Sequence, residues 1–155
     1  MAREVEKSFS ESEEVIAIVV LKGAFIFAAD LLRTLNLPLQ VDFISVQSYG
    51  HSTVSSGVLT VRKDVELDLS NKDVLLIEDI IDSGLTMVHL VEHLKKKGAR
   101  RIEVAVLLDK PSRRKADVVV EHIGFQIEDA FVVGYGLDAA GQYRHLADIA
   151  VVTES

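Results

Sequence analysis

Short apolar runs recur along the chain and alternate with stretches in which apolar residues return with helical spacing. Unbroken runs of this kind are typical of strands that are covered on both faces of a sheet. The alternation predicts an α/β fold, with a parallel sheet flanked by helices and right-handed crossovers. The predicted strands are Val15 to Lys22, Val41 to Gly50, the returning arm of a long hairpin from Val58, Asp73 to Ile77, and Ile102 to Leu108.

Two helices are predicted between these strands, each with one apolar stripe. The first follows Gly23 and ends at Asn36 and Pro38. The second covers Thr86 to Lys97, and Gly98 suits the position just past its end. The stripes expected to face the sheet are Phe25, Ala28, Ala29 and Leu32 in the first helix, and Met87, Leu90, Val91 and Leu94 in the second.

The last part of the chain is mostly extended. A basic turn, Lys110 to Lys115, precedes three short strand-like pieces, at Asp117 to Gly124, Phe131 to Leu137 and Asp148 to Val152. We expect them to form a small flap, the hood, beside the main sheet. The prediction is one domain over residues 1–155, with a core at about 15–109 and the hood at about 110–155. The polar N-terminal residues are a further candidate part of the hood.

Composition limits the function classes. The chain has no cysteine, which excludes disulfides and cysteine-based zinc sites or nucleophiles. Its N-terminus is polar and acidic, unlike a secretory signal, and no apolar stretch is long enough to span a bilayer. The formal net charge of -7 argues against a nucleic-acid partner but permits a small anionic ligand bound by a local loop. We therefore expect no membrane partner and a cytoplasmic location.

The string VLLIEDIIDSGLT, Val74 to Thr86, runs from a buried strand into three acids, Glu78, Asp79 and Asp82. Burying an unpaired carboxylate is very costly, so these acids need a partner or a ligand. In open α/β sheets, ligands bind beyond the carboxyl ends of the strands, where this string ends. Oxygen ligands of this kind suit sugar hydroxyls or Mg²⁺.

A loop of small polar residues follows the acids and leads into the second predicted helix. Gly84 permits a tight turn, and backbone N–H groups with the helix dipole then attract an anion. The loop has no lysine, so it differs from the phosphate loop of nucleotide triphosphatases. A plainer alternative stays open: a solvated strand end, with Asp82 or Ser83 capping the helix. The residues themselves indicate a sugar phosphate and a metal.

The whole string resembles the phosphoribosyl pyrophosphate signature of type I phosphoribosyltransferases: an apolar strand, two acids, two apolar residues, then Asp-Ser/Thr-Gly-x-Thr. Other segments are similar, in order, to bacterial hypoxanthine-guanine phosphoribosyltransferases. They are VLKGAFIFAADLL, VDFISVQSYG, LLDKPSRRK, IGFQIEDAFVVGYGLD and QYRHL, and the resemblance runs from about Val15 to Val152. It implies the type I phosphoribosyltransferase fold, with phosphoribosyl pyrophosphate and a 6-oxopurine such as hypoxanthine or guanine as substrates.

The resemblance implies roles for the residues that bind the sugar phosphate. Asp82 would exchange a proton with the purine imidazole ring, and Glu78 and Asp79 would face the ribose and hold Mg²⁺. The 5-phosphate would lie on Ser83, Gly84, Leu85 and Thr86. Pyrophosphate would bind Lys22 and Gly23, with a cis peptide bond between Leu21 and Lys22, and Arg144.

The resemblance also implies a purine site and a mobile loop. Lys110 would donate to the 6-oxo group, and Phe131 would stack on the base beside a backbone contact from Val132. Asp138 would lie near a second metal and the 2-position of the base, although the following Ala139 replaces an aromatic residue that is common in relatives. Ser48 and Tyr49 would begin a loop that closes over the substrates. Relatives are commonly dimers or tetramers, and the predicted helix Ala24 to Leu35 is a candidate interface.

Three alternative functions are compatible with parts of this pattern. A different purine preference, with xanthine accepted or guanine rejected, is the nearest. A regulatory protein of the same fold that binds nucleotide and RNA is disfavoured by the acidic charge. A phosphoacceptor receiver domain carries its acid pair on the first strand, whereas Glu78 and Asp79 come after two other strands, so this alternative is set aside.

Overall fold

The computed structural model describes residues 1–48 and 59–153. Within them, one sheet contains six strands in the order β3-β2-β1-β4-β5-β6, and a second small sheet pairs β7 with β8. The strands are β1 Val15–Leu21, β2 Leu39–Ser48, β3 Leu59–Lys63, β4 Asp73–Ile81, β5 Arg101–Asp109, β6 His122–Gln126, β7 Val132–Val133 and β8 Ala150–Val151, and the helices are α1 Ala2–Ser8, α2 Phe25–Thr34 and α3 Leu85–Lys96.

Five neighbouring strands run parallel, in the order β2-β1-β4-β5-β6, which confirms the predicted α/β architecture. β3 pairs antiparallel with β2, so it is the returning arm of a hairpin as expected. The chain proceeds from β1 to β2 on one side and later inserts β4 on the other side of β1. This reversal creates a crevice between the carboxyl ends of β1 and β4, where α/β proteins bind their ligands.

Two apolar clusters lie on the two faces of the sheet. Along β1, Val15, Ala17 and Val19 point to the face that α1 and α2 cover. The alternate residues Ile16, Ile18 and Val20 point to the face that α3 covers. Because both faces of β1 are covered, its side chains are apolar without interruption.

The prediction of the buried face is right for α3 and wrong for α2. In α3, Met87, Leu90 and Leu94 are buried as predicted. The stripe predicted for α2 is wrong in phase. Its buried residues are Phe27, Ala28 and Leu31, whereas Phe25 is exposed. Because α2 is apolar around most of its circumference, its sequence does not define which side meets the sheet.

The N-terminal residues were not predicted to fold, yet they form α1. Val5 and the following Phe9 are fully buried in the cluster beneath α2. They stand four residues apart on one helical face, a signal too short to separate from a polar tail. The C-terminal residues, predicted as the hood, form two separate parts. β6 joins the main sheet beside β5, while β7 and β8 pair with each other in the small sheet. Among the described residues, no helix is long and apolar enough to cross a membrane.

Candidate active site

β4 is longer than predicted, and its two adjacent acids therefore lie within the strand. The ladder with β5 continues through Glu78 and Ile80 to Ile81, beyond the predicted end at Ile77. Glu78 is buried, and its Oε1 accepts a hydrogen bond from the Asp79 backbone N–H at 3.0 Å. Burial and the neighbouring Asp79 charge raise the pKa of Glu78 well above its usual value. A bound cation would relieve both effects.

The loop after β1 lies directly against Asp79. The expected cis peptide bond between Leu21 and Lys22 is present. A Cβ on Gly23 would lie 1.6 Å from Asp79 Oδ2, so only glycine permits this contact. On its other side, Gly136 comes so close that a Cβ there would lie 2.1 Å from the Gly23 carbonyl oxygen. The Lys22-Gly23 loop therefore connects the acidic strand end with the segment around Gly136.

The predicted phosphate cradle, Ser83 to Thr86, lies at the start of α3. Gly84 has a φ of 81°, which L-residues rarely adopt, and its backbone leads directly into the first helical turn. The N-cap residue is Gly84, and no hydrogen bond from Asp82 caps the helix. Ser83 Oγ accepts a hydrogen bond from the Leu85 N–H at 3.4 Å, so of the two residues in the plainer alternative Ser83, but not Asp82, contacts the start of the helix. The first-turn N–H groups point away from the helix body, as an anion site requires.

Asp82 instead faces the turn after β5. Its Oδ1 accepts a hydrogen bond from Arg113 Nε at 3.1 Å. Arg113 also donates from Nη1 to Asp129 Oδ2 at 3.3 Å, and the other oxygen of Asp129 lies 3.7 Å from Lys110 Nζ. Two residues expected at the purine, Asp82 and Lys110, are thus joined through Arg113 and Asp129.

Lys110 is nearly buried, with its side chain 10% exposed. Its backbone N–H donates to the Ile81 carbonyl at 3.0 Å, which holds the ends of β4 and β5 together. Phe131 follows Asp129 by two residues and is 57% exposed, so its ring is available to a ligand. The Val132 side chain is buried, and Val132 pairs with Val151 in the small sheet.

Arg144 and Asp138 form an ion pair on the Gly136 side of the site. Arg144 Nη2 lies 2.6 Å from Asp138 Oδ1, and Arg144 Nη1 donates to the Gly136 carbonyl at 2.6 Å. The other Asp138 oxygen accepts from the Gly141 N–H at 2.6 Å. Within residues 1–48 and 59–153, no three histidine or acidic side chains form a metal cage. Asp138 therefore does not join Glu78 and Asp79 in one three-ligand site.

The expected mobile loop is only partly described. Ser48 ends β2 and pairs with Leu59 of β3. Tyr49 lies outside the described residues. Two charged neighbours of the predicted site, Arg113 and Asp129, received no role from the sequence, although the basic turn that carries Arg113 was noted. The only signal for Arg113 was its charge in the turn after a core strand, and the only signal for Asp129 was its charge two residues before Phe131.

A cavity of about 850 Å³ lies at the opposite, amino end of the sheet. Glu14, Lys72, Asp73 and Arg100 are among its lining residues. These charges are paired with one another, Lys72 with Glu14 and Arg100 with Asp73. Since their charges are satisfied within the protein, the carboxyl-end crevice is the better candidate for chemistry.

Comparison with known proteins gives consistent matches. Residues 1–140 match the model of the phosphoribosyl transferase domain. The hypoxanthine-guanine phosphoribosyltransferase of Bacillus subtilis is 52% identical over 137 residues, covering 88% of this chain and 76% of that protein.

Solved structures agree with this similarity. A hypoxanthine-guanine phosphoribosyltransferase from Bacillus anthracis superposes with a TM-score of 0.93 at 46% identity, covering 98% of this chain and 89% of that chain. A hypoxanthine phosphoribosyl transferase from Trypanosoma cruzi, studied for the role of its C-terminal region in oligomeric state and activity, has a TM-score of 0.92 at 34% identity and covers 98% and 83%.

Proposed function

The chain belongs to the phosphoribosyltransferase family, among its hypoxanthine-guanine phosphoribosyltransferases, and we propose how its residues carry out the reaction. The enzyme transfers the 5-phosphoribosyl group from phosphoribosyl pyrophosphate to hypoxanthine or guanine, giving IMP or GMP and pyrophosphate. The observation that carries the assignment of the site is the crevice at the carboxyl ends of β1 and β4, which gathers Lys22, Gly23, Glu78 and Asp79 beside the loop before α3.

The sugar phosphate lies along this crevice. The 5-phosphate accepts hydrogen bonds from the backbone at Ser83, Gly84, Leu85 and Thr86, where the helix dipole favours an anion. Glu78 and Asp79 accept hydrogen bonds from the ribose hydroxyls. The pyrophosphate lies against Lys22 and Gly23, and Arg144 adds positive charge from the neighbouring segment. Gly23 lies against both Asp79 and Gly136, which supports placing the ribose site, the pyrophosphate site and the Arg144 segment side by side.

Mg²⁺ fits the adjacent pair Glu78 and Asp79. Mg²⁺ is commonly held by one or two carboxylates together with substrate phosphates and water, so a cage of protein ligands is not needed. Burial and the neighbouring Asp79 charge raise the pKa of Glu78, and a divalent cation would offset both effects. When bound, Mg²⁺ supplies positive charge that stabilises the departing pyrophosphate. We assign Asp138 to a separate position near the 2-position of the base and a second metal.

The chemical step then needs one proton transfer. Pyrophosphate leaves with the electrons of its bond to the anomeric carbon, and a purine ring nitrogen forms the new bond to that carbon. The imidazole proton of the purine passes to the Asp82 carboxylate. Lys110 donates to the 6-oxo group and so disfavours adenine, whose amino group is itself a donor. Phe131 stacks on the ring, and the Val132 backbone contacts its edge.

A coupled assay tests the function directly. The protein is mixed with phosphoribosyl pyrophosphate and Mg²⁺, and hypoxanthine, guanine, xanthine or adenine is supplied separately. We expect nucleotide and pyrophosphate from hypoxanthine or guanine, and little product from adenine. Omitting Mg²⁺ should abolish turnover. Absence of product with every 6-oxopurine would refute the function, and comparable rates with xanthine would favour the broader purine preference.

We also propose that the chain works as a homodimer or homotetramer and folds as one domain over residues 1–155. Val41 and Phe43 of β2 point to the α2 side of the sheet, because they pair in register with Ala17 and Val19. α2 leaves them 44% and 39% exposed, and a contiguous apolar surface commonly marks an interface.

A cytoplasmic location is proposed because the charged sugar-phosphate substrate crosses a membrane only at great cost.

A further inference from the structure

A row of alternating charges crosses the proposed purine edge in the order Asp82, Arg113, Asp129, Lys110. Arg113 is central because its side chain reaches both carboxylates, at 3.1 Å and 3.3 Å. Asp129 in turn lies 3.7 Å from the buried Lys110 ammonium. The row begins at the acid assigned to proton transfer and ends at the lysine assigned to the 6-oxo group.

The row is not needed to hold the turn that carries Arg113. The backbone N–H groups of Lys115 and Ala116 donate to the Ser83 carbonyl at 2.9 Å and 3.1 Å. The Arg113 backbone N–H closes the turn onto the Lys110 carbonyl at 3.1 Å. The side chains of Arg113, Asp82 and Asp129 are 52%, 44% and 50% exposed, and ion pairs that are this solvated contribute little to stability.

We propose that Arg113 is a positioning residue, which acts through Asp82 and Asp129 to set the spacing between the proton-transfer carboxylate and the Lys110 ammonium. This inference rests on the proposed function. N7 and the 6-oxo group are neighbours on one edge of a purine, so the two protein groups that address them must hold a matching separation. Arginine suits this task because its planar fork fixes two carboxylates at once, whereas a lysine ammonium does not.

Purine binding increases the importance of the row. A stacked base excludes water from this edge, and the same charges then interact in a lower dielectric. Arg113 keeps the Asp82 carboxylate aimed at the imidazole proton without touching the base. It also draws one oxygen of Asp129 away from Lys110, which leaves the ammonium able to donate to the substrate.

The first experiment compares Arg113→Gln with Arg3→Gln, the same substitution at an exposed position of α1. In Arg113→Gln we expect kcat/KM for hypoxanthine to fall about ten- to a hundredfold, the loss of one charge-assisted hydrogen bond. Binding of phosphoribosyl pyrophosphate without purine, measured by calorimetry, should stay unchanged. Arg113→Lys should recover only part of the loss. Arg3→Gln should behave like the wild type.

A double-mutant cycle with Asp82→Asn separates positioning from a structural role. If Arg113 acts through Asp82, Arg113→Gln should cost much less turnover in the Asp82→Asn background than alone. If Arg113→Gln lowers turnover by the same factor in both backgrounds, or keeps full activity, the inference is overturned. The proposed function stands in either case, because the wild type is active. An inactive wild type would instead refute the function, and the inference with it.

Discussion

Lys110 is the residue on which the choice between a 6-oxopurine and adenine depends in the proposed reaction. Its side chain is buried, and the only carboxylate found near its ammonium among the described residues is Asp129, at 3.7 Å. Such a weakly held ammonium has donor capacity left for a ligand. Its position is rigid, since the Lys110 backbone is hydrogen-bonded to the end of β4.

Lys110→Ala should therefore lower kcat/KM for hypoxanthine by about ten- to a hundredfold, the value of a hydrogen bond to a charged group. The rate with adenine should stay low, so the ratio between the two purines shrinks. Steady-state kinetics with both bases measure this ratio, with Lys95→Ala, an exposed position of α3, as the control. An unchanged ratio would remove Lys110 from base recognition.

At the same scale, the sequence predicted where charged residues stand but not which of them pair. The acids of VLLIEDIIDSGLT were expected at the ligand edge, and β4 carries them there. Whether Asp82 caps the helix stayed open, because a cap and a site acid have the same local sequence. In the structure the Asp82 carboxylate pairs with Arg113 rather than capping the helix, and Arg113 is 31 residues away in sequence.

At the scale of elements, α1 is a short helix that the core holds in place. Phe9 directly follows it, is fully buried, and its ring lies 4.3 Å beneath the Arg101 guanidinium. Phe9→Ala should destabilise the fold by about 3–5 kcal/mol, the usual cost of removing a buried aromatic ring. Urea denaturation measures this loss. Phe125→Ala, at a ring that is 64% exposed, is the control and should change stability little.

A second element-scale contact joins the β2–β3 hairpin to α3, whose N-terminus forms the phosphate cradle. Asp64, just after β3, pairs with His93 Nε2 at 2.8 Å and with Lys97 Nζ at 2.9 Å. Burial opposes ionisation, but these two partners hold the pKa of Asp64 at about 2, below its usual 3.8. The hairpin is thus tethered to the helix that positions the phosphate loop.

The lowered pKa of Asp64 gives a pH-dependent prediction. A carboxyl group whose folded pKa is depressed contributes its stability above the unfolded pKa and loses it as pH falls through the folded value. Asp64→Asn should therefore be less stable than the wild type by about 1 kcal/mol near neutral pH, a small value because the pair is partly exposed. The difference should shrink from pH 3.8 toward pH 2. Urea titrations across this range, with exposed Asp117→Asn as control, measure it; a constant difference would contradict the tether.

At the scale of the whole molecule, the exposed face of β2 is the proposed contact with a second copy. Phe43→Ser should reduce the mass measured by light scattering to that of a monomer, because an apolar interface loses its central ring. The circular dichroism spectrum should stay unchanged, since Phe43 lies outside the core. Val119→Ser, at a side chain that is 72% exposed away from β2, should leave the assembly intact. A monomeric wild type would refute the oligomer.

The sequence by itself determined the α/β order of strands and helices, the acidic strand end with its glycine loop, and the similarity to phosphoribosyltransferases. These are local signals, since periodicity and a thirteen-residue string each lie within one stretch of chain. The tertiary structure decided which side of α2 is buried, that Val5 and Phe9 belong to the core, and that β6 extends the main sheet. It also brought Arg113 and Asp129 between Asp82 and Lys110. Such choices depend on contacts between distant segments, which no local pattern contains.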